Sequence, residues 1–256
     1  MSSVSALPER LKQGSPVITA WCGIPEPAIA GILAREAYDA VTLDMQHGVY
    51  DVAAVVRAVP PIAAAGKPAM ARIPVGEFQT ASKLLDAGIS GIIAPMINTV
   101  EDARRFASFM KFPPMGERSW GPLGSLMLTG LQPTDYLRQA NAFSLAFAMI
   151  ETREALADID AILAVPGIDA IFLGPSDLSI TLSRGERLDV VGAEVEEALK
   201  HAQARAKAAG KIAGVYSATG ERAAELVARG FQFIALGSDT VALRMGAQAA
   251  LKAARA

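Results

Sequence analysis

The sequence is poor in cysteine and in long apolar runs. Cys22 is the only cysteine among 256 residues, so an internal disulfide is excluded and nothing indicates an oxidising compartment. No stretch approaches the 18 consecutive apolar residues that a membrane-spanning helix needs. Residues 1–14 also lack the apolar segment of a signal peptide. We therefore expect a cytoplasmic protein that does not contact a membrane.

An excess of positive charge is missing as well. The formal net charge is −2 and no cluster of lysine and arginine occurs, which disfavours nucleic-acid binding. Hydrophobic residues make up 52% of the chain, enough for a sizeable core. A chain of this length can form one α/β barrel, and no composition shift marks a linker. We expect a single domain over residues 1–256.

Eight short, almost continuously apolar runs recur along the chain, as expected for parallel strands that are buried on both faces. They are residues 17–21, 40–44, 69–73, 91–95, 144–151, 169–174, 212–216 and 233–237. Amphipathic segments lie between them, and the alternation predicts a (β/α)₈ barrel. The segment WCGIPEP after the first run lacks the G-x-G-x-x-G pattern, which disfavours a dinucleotide-binding doubly wound sheet.

One segment interrupts this alternation. Residues 111–133 are rich in glycine and proline and are too long for an ordinary connection. We interpret them as an active-site or interface loop.

Polar residues follow several of the predicted strands. In a barrel of this type the loops after the strands converge on the active site. Asp44 ends the second predicted strand and His47 follows it, Arg72 lies in the third, Glu151 ends the fifth and Asp177 follows the sixth. We expect these five side chains to form one site.

Glu151 and Asp177 are candidate ligands of a divalent cation. Two carboxylates on adjacent strands suit Mg²⁺ or Mn²⁺, which retain positions for water and substrate. Alternatively, both residues cap the helices that follow them, because acidic groups favour helix N-termini.

The roles of Arg72 and His47 allow alternatives. Arg72 can pair with a buried carboxylate, bind a substrate oxyanion, or do both. His47 can be a packed residue with a backbone partner, or a general base whose imidazole is oriented by Asp44. His201 lies among charged residues and is interpreted as a surface residue. No lysine is predicted at this end of the barrel, which disfavours an imine mechanism.

Five motifs, taken in order and spacing, resemble the HpcH/HpaI family of metal-dependent (class II) pyruvate aldolases. They are LDMQHG, ARIP, MIET, FLGPSDLS and FIALGSD, and PPMGERSWG is similar to the proline- and glycine-rich loop of that family. The resemblance extends from about residue 15 to about residue 245. It implies a TIM barrel of the phosphoenolpyruvate/pyruvate-domain type, whose last helix is exchanged between subunits, commonly in hexamers built as trimers of dimers.

The resemblance also implies roles for individual residues. It assigns metal binding to Glu151 and Asp177, and stabilisation of an enolate to Arg72. It assigns the base, acting through a metal-bound water in many descriptions, to His47. Asp86 would raise the basicity of that histidine.

Further positions concern the strand-two motif and substrate binding. Asp44 matches the acid of the strand-two motif, and Gly174, Pro175 and Ser176 match the turn that binds the pyruvate carboxylate. Three positions depart from the pattern. Gln46 stands where many relatives have Glu, Met149 where well-known members have a substrate-contacting Gln, and Ser176 where some relatives have Ala.

The implied reaction is the reversible cleavage of a 4-hydroxy-2-oxo acid to pyruvate and an aldehyde. The implied cofactor is Mg²⁺ or Mn²⁺, with Co²⁺ and Zn²⁺ as further candidates. The low charge of residues 111–133 favours a small or uncharged aldehyde. The alternatives are an acyl-CoA lyase of the citramalyl- or malyl-CoA type, a metal-dependent hydrolase or decarboxylase of oxaloacetate, and a non-catalytic barrel that binds a metal or a 2-oxo acid.

Overall fold

The computed structural model describes residues 3–255, and its core is a sheet of eight strands. They are β1 (Val17–Cys22), β2 (Ala40–Asp44), β3 (Ala69–Arg72), β4 (Gly91–Ala94), β5 (Leu145–Ile150), β6 (Ala170–Leu173), β7 (Ile212–Ser217) and β8 (Phe233–Leu236). Every predicted strand is present, and each boundary lies within one residue of its predicted position.

The strands form a closed barrel in chain order. Each strand pairs in parallel with the next, and β8 pairs with β1. The predicted (β/α)₈ barrel is therefore confirmed. The register between β2 and β3 sets Asp44 opposite Arg72, which brings two predicted site residues together through backbone pairing alone.

Thirteen helices are found among the described residues, most of them between the strands. They are α1 (Ser3–Lys12), α2 (Pro27–Arg35), α3 (Val52–Ala64), α4 (Gln79–Ala87), α5 (Val100–Met110), α6 (Leu123–Thr129), α7 (Pro133–Phe143), α8 (Arg153–Ala157), α9 (Ile159–Leu163), α10 (Pro175–Leu182), α11 (Ala193–Ala208), α12 (Gly220–Ala228) and α13 (Asp239–Ala254). None of them is long and apolar enough to cross a membrane.

The core has two apolar layers, as expected where helices cover a parallel barrel. Inside the barrel, Met70, Phe147, Phe172 and Phe233 are fully buried, and the rings of Phe147 and Phe233 lie 4.9 Å apart. A larger cluster fills the space between the strands and the surrounding helices. The barrel interior is thus packed, so its open end is the place for a ligand.

Two segments differ from ordinary barrel elements. Residues 111–133 contain the short helix α6, and the buried Lys111 at their start pairs with Asp169 at 2.7 Å. The last helix, α13, buries only its first residue, Asp239. Exchange of α13 between subunits stays a prediction.

Candidate active site

A cavity of about 610 Å³ lies at the carboxyl ends of the strands. Eight of the ten predicted site residues line it or reach it. The lining includes Asp44, His47, Arg72, Met149, Gly174, Pro175, Ser176 and Asp177. No lysine lines this cavity within residues 3–255.

Asp44 and Arg72 form a buried, two-point ion pair. Arg72 Nε donates to Asp44 Oδ1 at 2.9 Å, and Nη2 donates to Oδ2 at 2.7 Å. Trp21 completes this arrangement, because its Nε1 donates to Asp44 Oδ2 at 3.2 Å and its ring lies 4.8 Å from the guanidinium carbon. Burial raises the pKa of the Asp44 carboxyl, but the hydrogen bonds and charge of Arg72, together with the backbone N–H groups of Gln46 and His47, leave that pKa below its ordinary value.

The same carboxylate shapes the turn that carries His47. Asp44 accepts hydrogen bonds from the backbone N–H groups of Gln46, His47 and Gly48, at 3.1, 3.4 and 3.2 Å. Orientation of the His47 imidazole stays a prediction for Asp44. Its two oxygens are taken by Arg72, Trp21 and the turn, so Asp44 holds the backbone of His47 and leaves the exposed imidazole at the cavity.

Glu151 and Asp177 converge on Gly174. A Cβ atom added at Gly174 would lie 2.8 Å from Glu151 Oε2 and 3.7 Å from Asp177 Oδ2. Glu151 Oε1 accepts from the backbone N–H of Met96 at 2.9 Å, and Met96 adopts a left-handed φ of 55°. Only glycine at position 174 leaves space between the two carboxylates and the cavity.

The second oxygen of Glu151 lacks a partner. Oε2 is buried and forms no hydrogen bond with any residue that the structure describes. Burial raises the pKa of Glu151 to about 7, and the nearby charge of Asp177 adds to this, while the Met96 N–H and the Arg72 charge oppose it.

These features fit a divalent cation. A buried carboxylate oxygen without a donor, a second carboxylate and an adjacent glycine form the oxygen-rich part of a site for a hard cation. Residues 3–255 contain no group of three or more histidine, cysteine or acidic side chains placed to hold a metal. Water and substrate oxygens would therefore have to supply the remaining ligands.

The turn Gly174–Ser176 lies at the N-terminus of α10. Helix N-termini present unpaired N–H groups and a partial positive charge, which suit a carboxylate. Met149, which is 2% exposed, also lines the cavity and approaches Gly174, because its methyl carbon would lie 2.7 Å from an added Cβ there. An apolar thioether thus occupies the place expected for a polar substrate contact.

Asp86 is not brought to the cavity in this chain. It lies on α4 and pairs with the buried Arg118, 2.7 Å away, outside the cavity lining. Residues 111–133 do not contribute to the described lining either. Roles for Asp86 beside His47, and for this segment at the active site, stay predictions that require a neighbouring chain.

Trp21, Tyr216 and Asp239 are among the cavity residues to which the sequence analysis assigned no role. Trp21 and Tyr216 lie near the carboxyl ends of β1 and β7, and their rings contact each other edge to face at 5.8 Å. Asp239 follows β8, and it has the same sequence signal as the predicted site residues, which are polar and lie at or after the end of a strand. The aromatic pair carries no comparable signal, because aromatic residues in strands most often fill the core.

The sequence and the fold can be compared with those of known proteins. The family model described as HpcH/HpaI aldolase/citrate lyase matches residues 18–245. The chain belongs to this family. A hydroxypyruvate/pyruvate aldolase of Rhizorhabdus wittichii is 41% identical over 95% of this chain and 96% of its own. A 4-hydroxy-2-oxo-heptane-1,7-dioate aldolase of Salmonella dublin is 32% identical over 96% of this chain and 92% of its own.

Solved structures agree with this assignment. An HpcH/HpaI aldolase/citrate lyase family protein from Burkholderia cenocepacia superposes with a TM-score of 0.89 and 28% identity, over 98% of this chain and 100% of the other. An HpcH/HpaI aldolase from Desulfitobacterium hafniense gives a TM-score of 0.87 and 28% identity, over 97% and 96%. The whole barrel is therefore shared with this family.

Proposed function

We propose that the protein is a metal-dependent aldolase that reversibly cleaves 4-hydroxy-2-oxo acids to pyruvate, or a related 2-oxo acid, and an aldehyde. The observation that carries this proposal is the unpartnered Oε2 of Glu151 beside Asp177, at the edge of a cavity that also contains Arg72 and His47. The names of the aldolase relatives support the same reaction class.

The cation would be held by Glu151 and Asp177. Mg²⁺ and Mn²⁺ suit two carboxylates best, with Co²⁺ and Zn²⁺ as further candidates. A divalent cation at this place supplies Lewis-acid stabilisation of negative charge on the keto oxygen of a 2-oxo acid. The turn at Gly174 and Ser176 would orient the substrate carboxylate through the helix N-terminus.

Arg72 would stabilise the enolate oxygen. Its Nε and Nη2 bind Asp44, and its Nη1 forms no hydrogen bond with a residue in the described range. Because the ion pair and the Trp21 ring fix the guanidinium, Nη1 is a preorganised donor for an oxyanion. Both roles that the sequence allowed for Arg72 are thus compatible in one geometry.

His47 would move the proton. In the direction of synthesis it removes a proton from C3 of pyruvate and delivers one to the oxygen of the acceptor aldehyde, directly or through water. Its imidazole is exposed at the cavity and its backbone is held by Asp44, which suits a group that must reach the substrate.

Proton exchange at C3 of pyruvate in D₂O, followed by NMR, tests this proposal without a choice of aldehyde. We expect exchange with Mg²⁺-loaded enzyme, and loss of exchange in chelator and in the His47→Ala variant. Exchange that persists in chelator would contradict the role of the metal. Absence of exchange in folded, metal-bound enzyme would contradict pyruvate chemistry. It would favour a thioester substrate or a non-catalytic barrel.

Assembly and location complete the proposal. We propose a cytoplasmic homohexamer, a trimer of dimers with exchanged C-terminal helices. The helix α13 supports this, because it exposes Val241, Leu243, Met245 and Leu251 and buries only Asp239. Light scattering after size exclusion tests the mass, and a monomer at micromolar concentration would contradict it.

A further inference from the structure

Asp239 attaches the last helix to the barrel. It is 2% exposed and is the single buried residue of α13. Its Oδ2 accepts hydrogen bonds from the backbone N–H groups of Gly23 and Ile24, at 2.9 and 2.8 Å, and its Oδ1 accepts from Thr240 at 2.8 Å. Both carboxylate oxygens are therefore engaged, and Oδ2 holds the loop after β1.

That loop packs directly against the turn that carries His47. The backbone N–H of Val49 donates to the carbonyl of Gly23 at 2.9 Å. Gly48 and Gly23 approach so closely that a Cβ atom on Gly48 would lie 2.8 Å from Gly23 Cα. The glycine pair thus joins the two loops backbone to backbone, with no side chain between them.

From these contacts we infer that Asp239 is a positioning residue for His47. Its carboxylate fixes the loop at Gly23, and the loop at Gly23 fixes the turn Gly48–Val49 that directs the imidazole into the cavity. Asp239 is the first residue of α13. The same contacts therefore link the position of the last helix to the position of His47. The inference rests on the proposed function, since it takes His47 as the group that moves the proton.

A carboxylate is suited to this position for a physical reason. Hydrogen bonds from N–H groups to an ionised oxygen are stronger than those to a neutral acceptor, and a buried carboxylate needs such donors to remain in place. Removing it would leave two partly buried donors without this acceptor and free the loop to shift.

The Asp239→Ala variant tests the inference with two measurements. The first is the rate of C3 exchange of pyruvate, where we expect kcat to fall by about 10–100-fold with little change in KM, since a displaced proton-transfer group affects the chemical step more than binding. The second is the proton NMR line of His47 C2–H. The chain has only two histidines, so the line of the exposed His201 is an internal reference.

Control variants separate positioning from stability. Asp239→Asn keeps an oxygen that can accept both N–H groups, and we expect it to restore most of the rate and the His47 line. Thr219→Ala removes the N-cap of α12, the helix after β7, where the Thr219 side chain accepts from the N–H of Arg222 at 3.2 Å. We expect Thr219→Ala to leave the rate and the His47 line unchanged.

The outcomes distinguish this inference from the proposed function. Suppose that the wild-type enzyme shows exchange and that Asp239→Ala folds with an unchanged rate and an unchanged His47 line. This result would overturn the inference and leave the proposed function intact. Wild-type enzyme without metal-dependent exchange would overturn the proposed function instead. If Asp239→Ala does not fold, Asp239→Glu replaces it as the test of the inference. Its longer side chain keeps the charge but displaces the loop. A normal rate and His47 line in that variant would overturn the inference.

Discussion

Asp44 and Arg72 stand opposite each other in the register of β2 and β3, and two hydrogen bonds join their buried side chains. Asp44 thus contacts both the turn that carries His47 and the guanidinium that we propose as the oxyanion donor. The remainder of the site is arranged around it, with the carboxylates of Glu151 and Asp177 at Gly174.

We predict that Asp44→Ala destabilises the fold. The substitution leaves the Arg72 guanidinium buried without its partner, and breaking a buried pair on one side costs about 3–5 kcal/mol. Urea denaturation measures the free energy of unfolding. The matched control is Asp160→Ala, which breaks the exposed pair of Asp160 with Arg205 and should change that free energy by less than about 1 kcal/mol. Equal effects of the two substitutions would contradict the structural role of Asp44.

Arg72→Lys should reduce catalysis more than stability. Lysine keeps the positive charge near Asp44, but its donors share one nitrogen and cannot form the planar fork that binds both carboxylate oxygens and leaves a separate nitrogen for the substrate. We expect kcat for C3 exchange to fall by about 10²–10³-fold, as on removal of an oxyanion donor. Steady-state kinetics with pyruvate provide the measurement, and a variant with wild-type kcat would assign Arg72 to structure only.

Glu151→Gln should abolish tight binding of the cation while preserving the fold. Glutamine retains an oxygen that can accept the N–H of Met96, but it lacks the negative charge that a divalent cation requires. Titration with Mn²⁺, followed by the signal of free Mn²⁺ in electron paramagnetic resonance, reports binding independently of activity. Glu154→Gln, an exposed position on α8, is the control and should bind as the wild type does. Similar affinity in both variants would place the cation elsewhere.

The stability of the cation-free protein should decrease as the pH rises from about 5 to about 7. The pKa of Glu151 is about 7 in the folded protein, against an ordinary value of 4.5. Between these values the folded state binds a proton that the unfolded state has lost, so the free energy of unfolding falls with pH. The full effect is at most about 3.4 kcal/mol, at 1.36 kcal/mol per pKa unit over the interval from 4.5 to about 7. Urea denaturation in chelator at several pH values measures it, and Glu151→Gln should show a flatter dependence. The same slope in both proteins would contradict this assignment.

The sequence predicted the barrel well because its signals are local. Each strand is a continuous apolar run, and residues at strand ends must meet at one end of a closed parallel barrel. Asp44, Arg72, Glu151 and Asp177 could be found in this way. The partner of each side chain could not, because it depends on distances of a few ångströms between loops. The hydrogen bond from the backbone N–H of His47 to Asp44 is one example.

The cavity should discriminate against anionic aldehydes. Arg72 is the only cation that lines it among the described residues, and Asp44 already pairs with that guanidinium, whereas Asp177 and Asp239 contribute further negative charge. Butanal and 4-oxobutanoate have the same chain length and differ in one carboxylate, so they form a matched pair of acceptors. We expect kcat/KM to favour butanal by about tenfold, which corresponds to about 1.4 kcal/mol, a modest charge interaction at a solvated site. A preference for 4-oxobutanoate would require a cation outside this lining, and Arg118→Gln would then test whether the segment 111–133 of a neighbouring subunit supplies it.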